Sequence, residues 1–513
     1  MVLDCIVLAL YALTMIAIAF YTKNRSGTVN EFFLAGKKGL NGWMTAFAYG
    51  TTYFSAVIFI GYAGQFGRSF GLASVWIGVG NAIFGTLIAW LVLAKRTKNM
   101  TQRLNAKTMP EFFEKRYGDK RLKLVSSVII FLFLIPYSAS VYNGLGSLFE
   151  IVFNVKGWIV IVSLAALTAL YLFFGGYFAT ALSDFIQGII MIVGVVCMVC
   201  CFMNSEQVNW DISEIVNDPN LTWFTFNAES KGIYGSTVSL LSLLLLTSFG
   251  VWALPQSIHK YYAIRDKKAI SQGVVVSTAF AMIIGFAAYF TGALSALFPE
   301  TEGLPHSEVV PTMMKISIPQ GLTGLIAVLI LSASMSTLSS VSLAGSSAIA
   351  IDLYKGKINE EASDKRVNII LKVFCLIFVA TSVIIAILNE RFNIAAIAYM
   401  MGISWGTLAG CFIGPFVLGV TWKRVTKSAV WASIITAPLL TLVLIFLFGY
   451  DRNGWDCTLG TAIRDGVGMS PLIGVICMIC SMIITVSVSL ATKKPDETIL
   501  SEAFDKHFDG EIQ

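Results

Sequence analysis

The chain has 513 residues, of which 56% are hydrophobic and only 13% charged. Soluble globular proteins carry about 25% charged residues, so this composition excludes an ordinary soluble domain and describes a protein that crosses a membrane many times. The net charge of +6 does not imply nucleic acid, because basic residues in such a chain first act as topology signals.

The first apolar run, 3–22, carries Asp4 where a signal peptide would be positive and is followed by Lys23 and Arg25, so it reads as a retained helix. Runs of about 20 apolar residues, enough to cross a ~30 Å hydrocarbon core, recur at 42–65, 72–94, 124–152, 158–174, 178–203, 236–258, 271–297, 320–353, 367–388, 394–421, 428–449 and 469–491, thirteen spans in all. An odd number places the termini on opposite sides. Most of the 36 basic residues fall in 23–41, 95–123, 259–270, 354–372, 422–427 and 492–513. The loop 204–230 on the other face is acidic and aromatic, without Lys or Arg. The positive-inside rule therefore predicts a multi-pass plasma-membrane protein with its amino terminus outside and its carboxyl terminus cytoplasmic. The basic loop 94–123 reads as a solvated connector, with anionic lipid headgroups as a further partner. Nine cysteines, several in apolar runs such as "VCMVCC" at 196–201, lack metal or disulfide spacing and read as free thiols.

Of the thirty acidic residues, only Asp184 in "GGYFATALSDFIQG" lies inside a predicted span, away from its ends. A buried ionisable group is costly and marks a functional site whose partner is a cation. No Lys or Arg is expected to be buried in a span to pair with it, so the alternatives are a bound cation, a proton, or a hydrogen bond to a hydroxyl. The ninth span reads "LILSASMSTLSSVSLAGSSAIAIDLY". At helical spacing Ser336, Ser339 and Ser340 share a face, with Ala333 and Thr337 beside them. Such hydroxyls serve close helix packing or offer neutral oxygens to a hard cation.

Two spans look interrupted: the second near "YGTTYFS", expected to unwind over Gly50 to Ser55, and the seventh near "SFGVWALPQS", where Gly250 and Pro255 disfavour helix. Unwound backbone at membrane depth is tolerated where it lines a cavity, and interruptions at corresponding places of two repeats point to a midplane site. The second and seventh spans are five apart, which fits two inverted five-helix repeats, 42–203 and 236–421. These follow a first helix and loop (1–41) and precede two further helices (428–491) and a tail (492–513). Gly402, Gly406, Gly410 and Gly414 form a smooth stripe on the eleventh span, suited to close packing or to a helix that tilts during gating. His259, His306 and His507 lie in loops or at helix ends, and no triad or phosphate loop supports an enzyme. A channel would need a filter or a charged ring; a membrane sensor is the remaining class.

Together with these features, "NEFFLAGKKGLNGWMTAFA", "GGYFATALSDFIQG", "SASMSTLSS" with "SSAIAIDLY", and "PQSIHKYYA" give a sequence that resembles the sodium/solute symporter family of proline, pantothenate, sialic acid and sugar carriers. The resemblance covers nearly the whole chain and implies an all-α membrane protein with the leucine-transporter fold. It implies a first Na+ held by the carbonyls of Thr51, Phe54 and Ala333 and the hydroxyls of Ser336 and Thr337. Asp184, Ser336, Ser339 and Ser340 match a second Na+ site found in part of the family. Where proline carriers have an aspartate in the second span, Tyr53 stands here. The arginine available to the sialic acid branch and the asparagine and glutamine of the sugar carriers are also absent. The expected solute pocket is thus neutral and aromatic, drawn from Tyr53, Ser55, Tyr137, Asn143, Phe249, Trp252 and Ser404. The expectation is a sodium-coupled importer, functional as a monomer, with the solute open among sugar acids, proline-like amino acids and monocarboxylates. Proton coupling through Asp184 is the alternative.

Overall fold

The computed structural model describes residues 2–23, 27–34, 40–219, 221, 223, 236–392 and 395–505. Part of the acidic loop 204–230, residues 35–39 of the first quoted motif, and His507 in the tail lie outside them. Among the described residues the elements are helices, plus one isolated bridge between Leu40 and Ile264. Eleven helical stretches among the described residues are long and apolar enough to cross a membrane.

Two of these, Val57–Arg103 and Gly157–Met203, run 47 residues each. Straight, each would measure about 70 Å at 1.5 Å per residue, more than twice the hydrocarbon core. Each instead folds back at a glycine with positive φ. At Gly176 (φ 58°) the reversal is visible in the partners: Tyr171 donates to the Met335 carbonyl at 3.0 Å, while Gly194 packs on Leu329. Positions 23 apart thus meet positions six apart on one facing helix. At Gly71 (φ 54°) the chain has climbed the helix Lys267–Ala293, with Gly67 against Gly292, and then descends it, with Gly78 against Gly285 and Trp90 against Gly273. With these reversals the thirteen crossings separate as the sequence predicted.

Both interruptions are present, one shorter than expected. Asn41 caps the first half of the second span, its side chain accepting from the Met44 amide at 2.9 Å. That helix, Gly42–Tyr53, continues through Gly50 and stops only at Phe54, which is extended (φ −107°, ψ 124°). Gly50 therefore does not unwind the helix; it admits the Phe280 ring, which lies 2.6 Å from where a Cβ would stand. In the seventh span the helix Ser236–Gly250 ends in a turn, Leu254 is extended, and a second helix runs Pro255–Tyr262. Proline fits there because the first helical position has no amide to satisfy.

The ninth span, Thr323–Ser347 continuing to Ile358, is 94% buried across its apolar window, against 33% for the leucine- and isoleucine-rich Asp364–Phe392. This inversion follows from the solvent: lipid accepts large apolar side chains, so small and hydroxylated residues collect where helices touch. The glycine stripe of the eleventh span is such a contact. A Cβ on Gly406 would stand 2.7 Å from Gly474 Cα of the helix Ser470–Ala491, and Gly410 and Gly414 face Cys477 and Ser481 of the same helix.

Candidate ion and solute site

The first half of the second span ends with its last carbonyls unpaired along its own axis, and a helix carboxyl end carries partial negative charge. The ninth span passes beside it. Ser336 Oγ lies 3.0 Å from both the Thr51 and Ala333 carbonyl oxygens. Thr337 Oγ1 lies 3.1 Å from the Ala333 oxygen and 3.3 Å from the Thr52 oxygen. Thr51, Ala333, Ser336 and Thr337 are thus assembled within one polar cluster, all fully buried. Phe54 is the extended residue at the break. The Thr52 carbonyl joins the cluster and was not anticipated. Five neutral oxygens at a helix carboxyl end suit a hard monovalent cation.

Asp184, Ser339 and Ser340 are also fully or almost fully enclosed. The expectation that no basic group reaches Asp184 fails. Lys260, without exposed surface, places its Nζ 3.6 Å from Asp184 Oδ2 and donates to Ser340 Oγ at 2.8 Å. The ammonium also stands 5.0 Å above the Tyr177 ring. The physical reason is the helix break: the second half of the seventh span starts only at Pro255 and needs its two turns to Tyr262. This carries Lys260 inside, whereas the sequence placed it in a basic loop. Ser339 Oγ donates to the Ser336 carbonyl at 3.0 Å, and Ser340 Oγ is 3.0 Å from Thr52 Oγ1.

Between the two breaks lies a nearly closed cavity of about 10 Å³, bounded by Tyr53, Phe54, Ser55, Ile58, Tyr62 and Met401, with Asn81, Thr247, Tyr289 and Trp405 completing its wall. None of its lining side chains is charged. Tyr53 donates to the Thr247 carbonyl at 2.7 Å and stacks on Trp405 at 6.1 Å. Tyr137 meets Trp405 edge-on at 5.6 Å. The Tyr137 hydroxyl is buried beside Ser55, Thr337 and Trp405. Of the seven predicted pocket residues, Tyr53 and Ser55 line the cavity and Tyr137 backs it through Trp405.

The other four lie elsewhere. Phe249 and Trp252 stack at 5.6 Å and turn towards the third span, where Trp252 donates to the Phe84 carbonyl at 2.9 Å. Ser404 is committed to the Phe133 carbonyl. Asn143 bonds the Ala386 carbonyl at 2.8 Å and borders a separate vestibule. That vestibule, about 570 Å³, opens at the end of the bundle away from the basic connectors and is lined by Gln65, Glu150, Glu390 and Tyr399 among others. Tyr62, bonded to the Ala398 carbonyl at 3.3 Å, stands between vestibule and cavity. His306 at the vestibule is held below the ordinary imidazole range by burial and by nearby Arg68, so it is neutral at pH 7.

At the opposite end the ninth span is tied down. Thr108 donates to fully buried Asp352 at 2.6 Å, and Lys123 pairs with Glu111 and Glu114 at 3.5 and 3.2 Å. A vestibule at one end, a small uncharged cavity beside it, and carbonyl and hydroxyl oxygens gathered where the second and ninth spans meet are what the fold brings together. The sodium:solute symporter family matches residues 32–436, and the chain belongs to that family. It is accordingly a sodium-coupled solute symporter rather than an enzyme. It is 28% identical over 499 residues to the osmoregulated proline transporter OpuE of Bacillus subtilis, covering 95% of this chain and 94% of that one. It is 27% identical over 516 residues to a sodium/proline symporter of Staphylococcus aureus, covering 96% and 93%. Its fold matches that of a Na+-coupled sialic acid symporter solved substrate-bound and outward-open, with TM-score 0.75, 17% identity, and coverage of 96% and 99%.

Proposed function

We propose that the protein imports a small organic solute of amino-acid size, that Na+ bound by Thr51, Phe54, Ala333, Ser336 and Thr337 drives it, and that the basic loops face the cytoplasm. The observation that carries this reading is the position of the cluster: Ser336 and Thr337 reach across to the Thr51 and Thr52 carbonyls at the foot of the broken helix. A cation there holds the second and ninth spans together, and Tyr53 and Ser55 follow directly in the chain. Ion and solute therefore order the same segment, and by linkage each raises the other's affinity by one factor.

The uncharged aromatic cavity supports a solute held by hydrogen bonds and ring faces rather than by a buried counter-charge. Proline, the solute named for the two relatives, is the first candidate. Because Tyr53 replaces an aspartate, an amine would here meet hydroxyls and π faces. Uptake into proteoliposomes of labelled proline, other small amino acids, sugar acids and monocarboxylates tests the reading. Accumulation should require an inward sodium gradient, and potassium should not replace it. Accumulation driven equally well by a proton gradient without sodium would overturn sodium coupling and favour the proton alternative.

A further inference from the structure

We infer that Lys260 is a tethered cation that fills the place of a second sodium ion, so that the protein binds and carries one Na+ per cycle. This rests on the sodium reading above. Two of the four residues matching a second sodium site are already engaged by the ammonium: Asp184 Oδ2 at 3.6 Å and Ser340 Oγ at 2.8 Å. Ser340 accepts from Lys260 and shares a hydrogen bond with Thr52 Oγ1, so the ammonium already stands on the oxygen a sodium ion would share.

Charge balance leads to the same conclusion. Asp184 and Lys260 form a neutral pair in a setting where neither has exposed surface. Adding Na+ there would set a second cation beside the ammonium on a single carboxylate, and like charges a few ångströms apart in a buried setting repel strongly. Lys260 is the cationic partner of the Asp184 carboxylate, and the Tyr177 ring shares in holding the ammonium, 5.0 Å from Nζ. The carboxylate is therefore neutralised chiefly by charge, and one cation suffices for it.

The tether also connects to the transported ion. From Lys260 the contacts run to Ser340 Oγ, on to Thr52 Oγ1 at 3.0 Å, and Thr52 offers its carbonyl to Thr337. A fixed charge on the seventh span thereby braces the same turn of the second span that the mobile ion clamps. Here the chain supplies that brace covalently, and with one ion per cycle the solute is accumulated by a smaller electrochemical drive than two ions would give.

The test uses 22Na+ alone, so no solute need be known. Equilibrium binding to the full-length protein in nanodiscs should saturate at one Na+ per chain. In Lys260→Ala, which frees Asp184 and Ser340, saturation should double to two, with a sodium Hill coefficient above one. Lys260→Ala with Asp184→Asn should return it to one. Two ions bound by the wild type would overturn the inference, as would a single ion in folded Lys260→Ala. Should that variant not fold, Ser340→Ala in the wild-type background still decides: the count stays at one here, and falls from two to one if Ser340 ligates a second ion. No saturable Na+ binding in the wild type, or one ion whose affinity Thr337→Ala leaves untouched, would instead bring down the first-site assignment.

Discussion

Replacing Ser336 by alanine separates an ion ligand from a packing hydroxyl, because the two roles predict costs of different size in different measurements. As a packing group, Ser336 has one proton to share between the Thr51 and Ala333 carbonyls, both 3.0 Å away. Interhelical hydrogen bonds in membrane proteins contribute about 0.6 kcal/mol on average, so folding should barely change. As one of about five oxygens around Na+, its loss removes a contact to a full charge, about 1.5–3 kcal/mol, or roughly 10- to 100-fold in sodium affinity. Thermal unfolding with and without sodium reads both. At sodium a hundredfold above Kd the ion adds about 2.7 kcal/mol to stability, falling to about 1.4 when Kd rises tenfold. Ser336→Ala should thus match the wild type in potassium and lag it in sodium, with half-maximal uptake shifted to higher sodium by at least tenfold. A variant equally destabilised in both salts, with unchanged sodium dependence of uptake, would refute the ligand assignment.

Three further substitutions test the surroundings. Tyr53→Phe removes the donor to the Thr247 carbonyl and should raise the uptake KM several-fold at saturating sodium, with sodium affinity changed less than twofold; the reverse pattern would place Tyr53 with the ion. Trp405→Ala, which opens the cavity wall, should abolish measurable solute binding. Trp252→Ala, outside that wall, should leave it within about twofold, and equal losses in the two would show the cavity boundary to be wrong. Gly406→Leu should cost about 1–3 kcal/mol by overpacking, because a Cβ there stands 2.7 Å from Gly474 Cα. It should lower thermal stability in sodium and potassium alike, whereas Gly460→Ala, with only Thr458 within 4.0 Å, should be silent; stability retained in Gly406→Leu would return the stripe to a moving helix.

The crossings and both interruptions were legible because apolar run length and the Gly250 and Pro255 pair act locally on the backbone. The hydroxyl face of the ninth span was legible for the same reason: helical spacing alone brings Ser336, Ser339 and Ser340 together. What failed needed knowledge of where a helix restarts. Lys260 sits near Arg265, Lys267 and Lys268 and read as one more loop charge; only the restart at Pro255 puts it inside. Trp252 stands in the interruption and so read as a pocket wall, but a turn residue can point either way, and it points to Phe84. Trp405 was hidden by its neighbours, since the glycine stripe drew the reading to the face of the eleventh span that packs on the last helix. A tryptophan on the opposite side of a stripe so committed was the signal available.

The ninth span also explains how hydroxyls can be both packing groups and ion ligands. Ser336 and Thr337 each have the Ala333 carbonyl within reach, and Ser339 donates to the Ser336 carbonyl. A hydroxyl whose proton goes back into its own helix presents only lone pairs outward. A row of them is an acceptor surface without formal charge, and it leaves no bare charge behind when a cation departs. Asp184, the carboxylate nearby, is matched by Lys260 in this structure. Reversible binding then falls to the uncharged oxygens at the end of the broken helix, where a single ion decides whether two spans are joined.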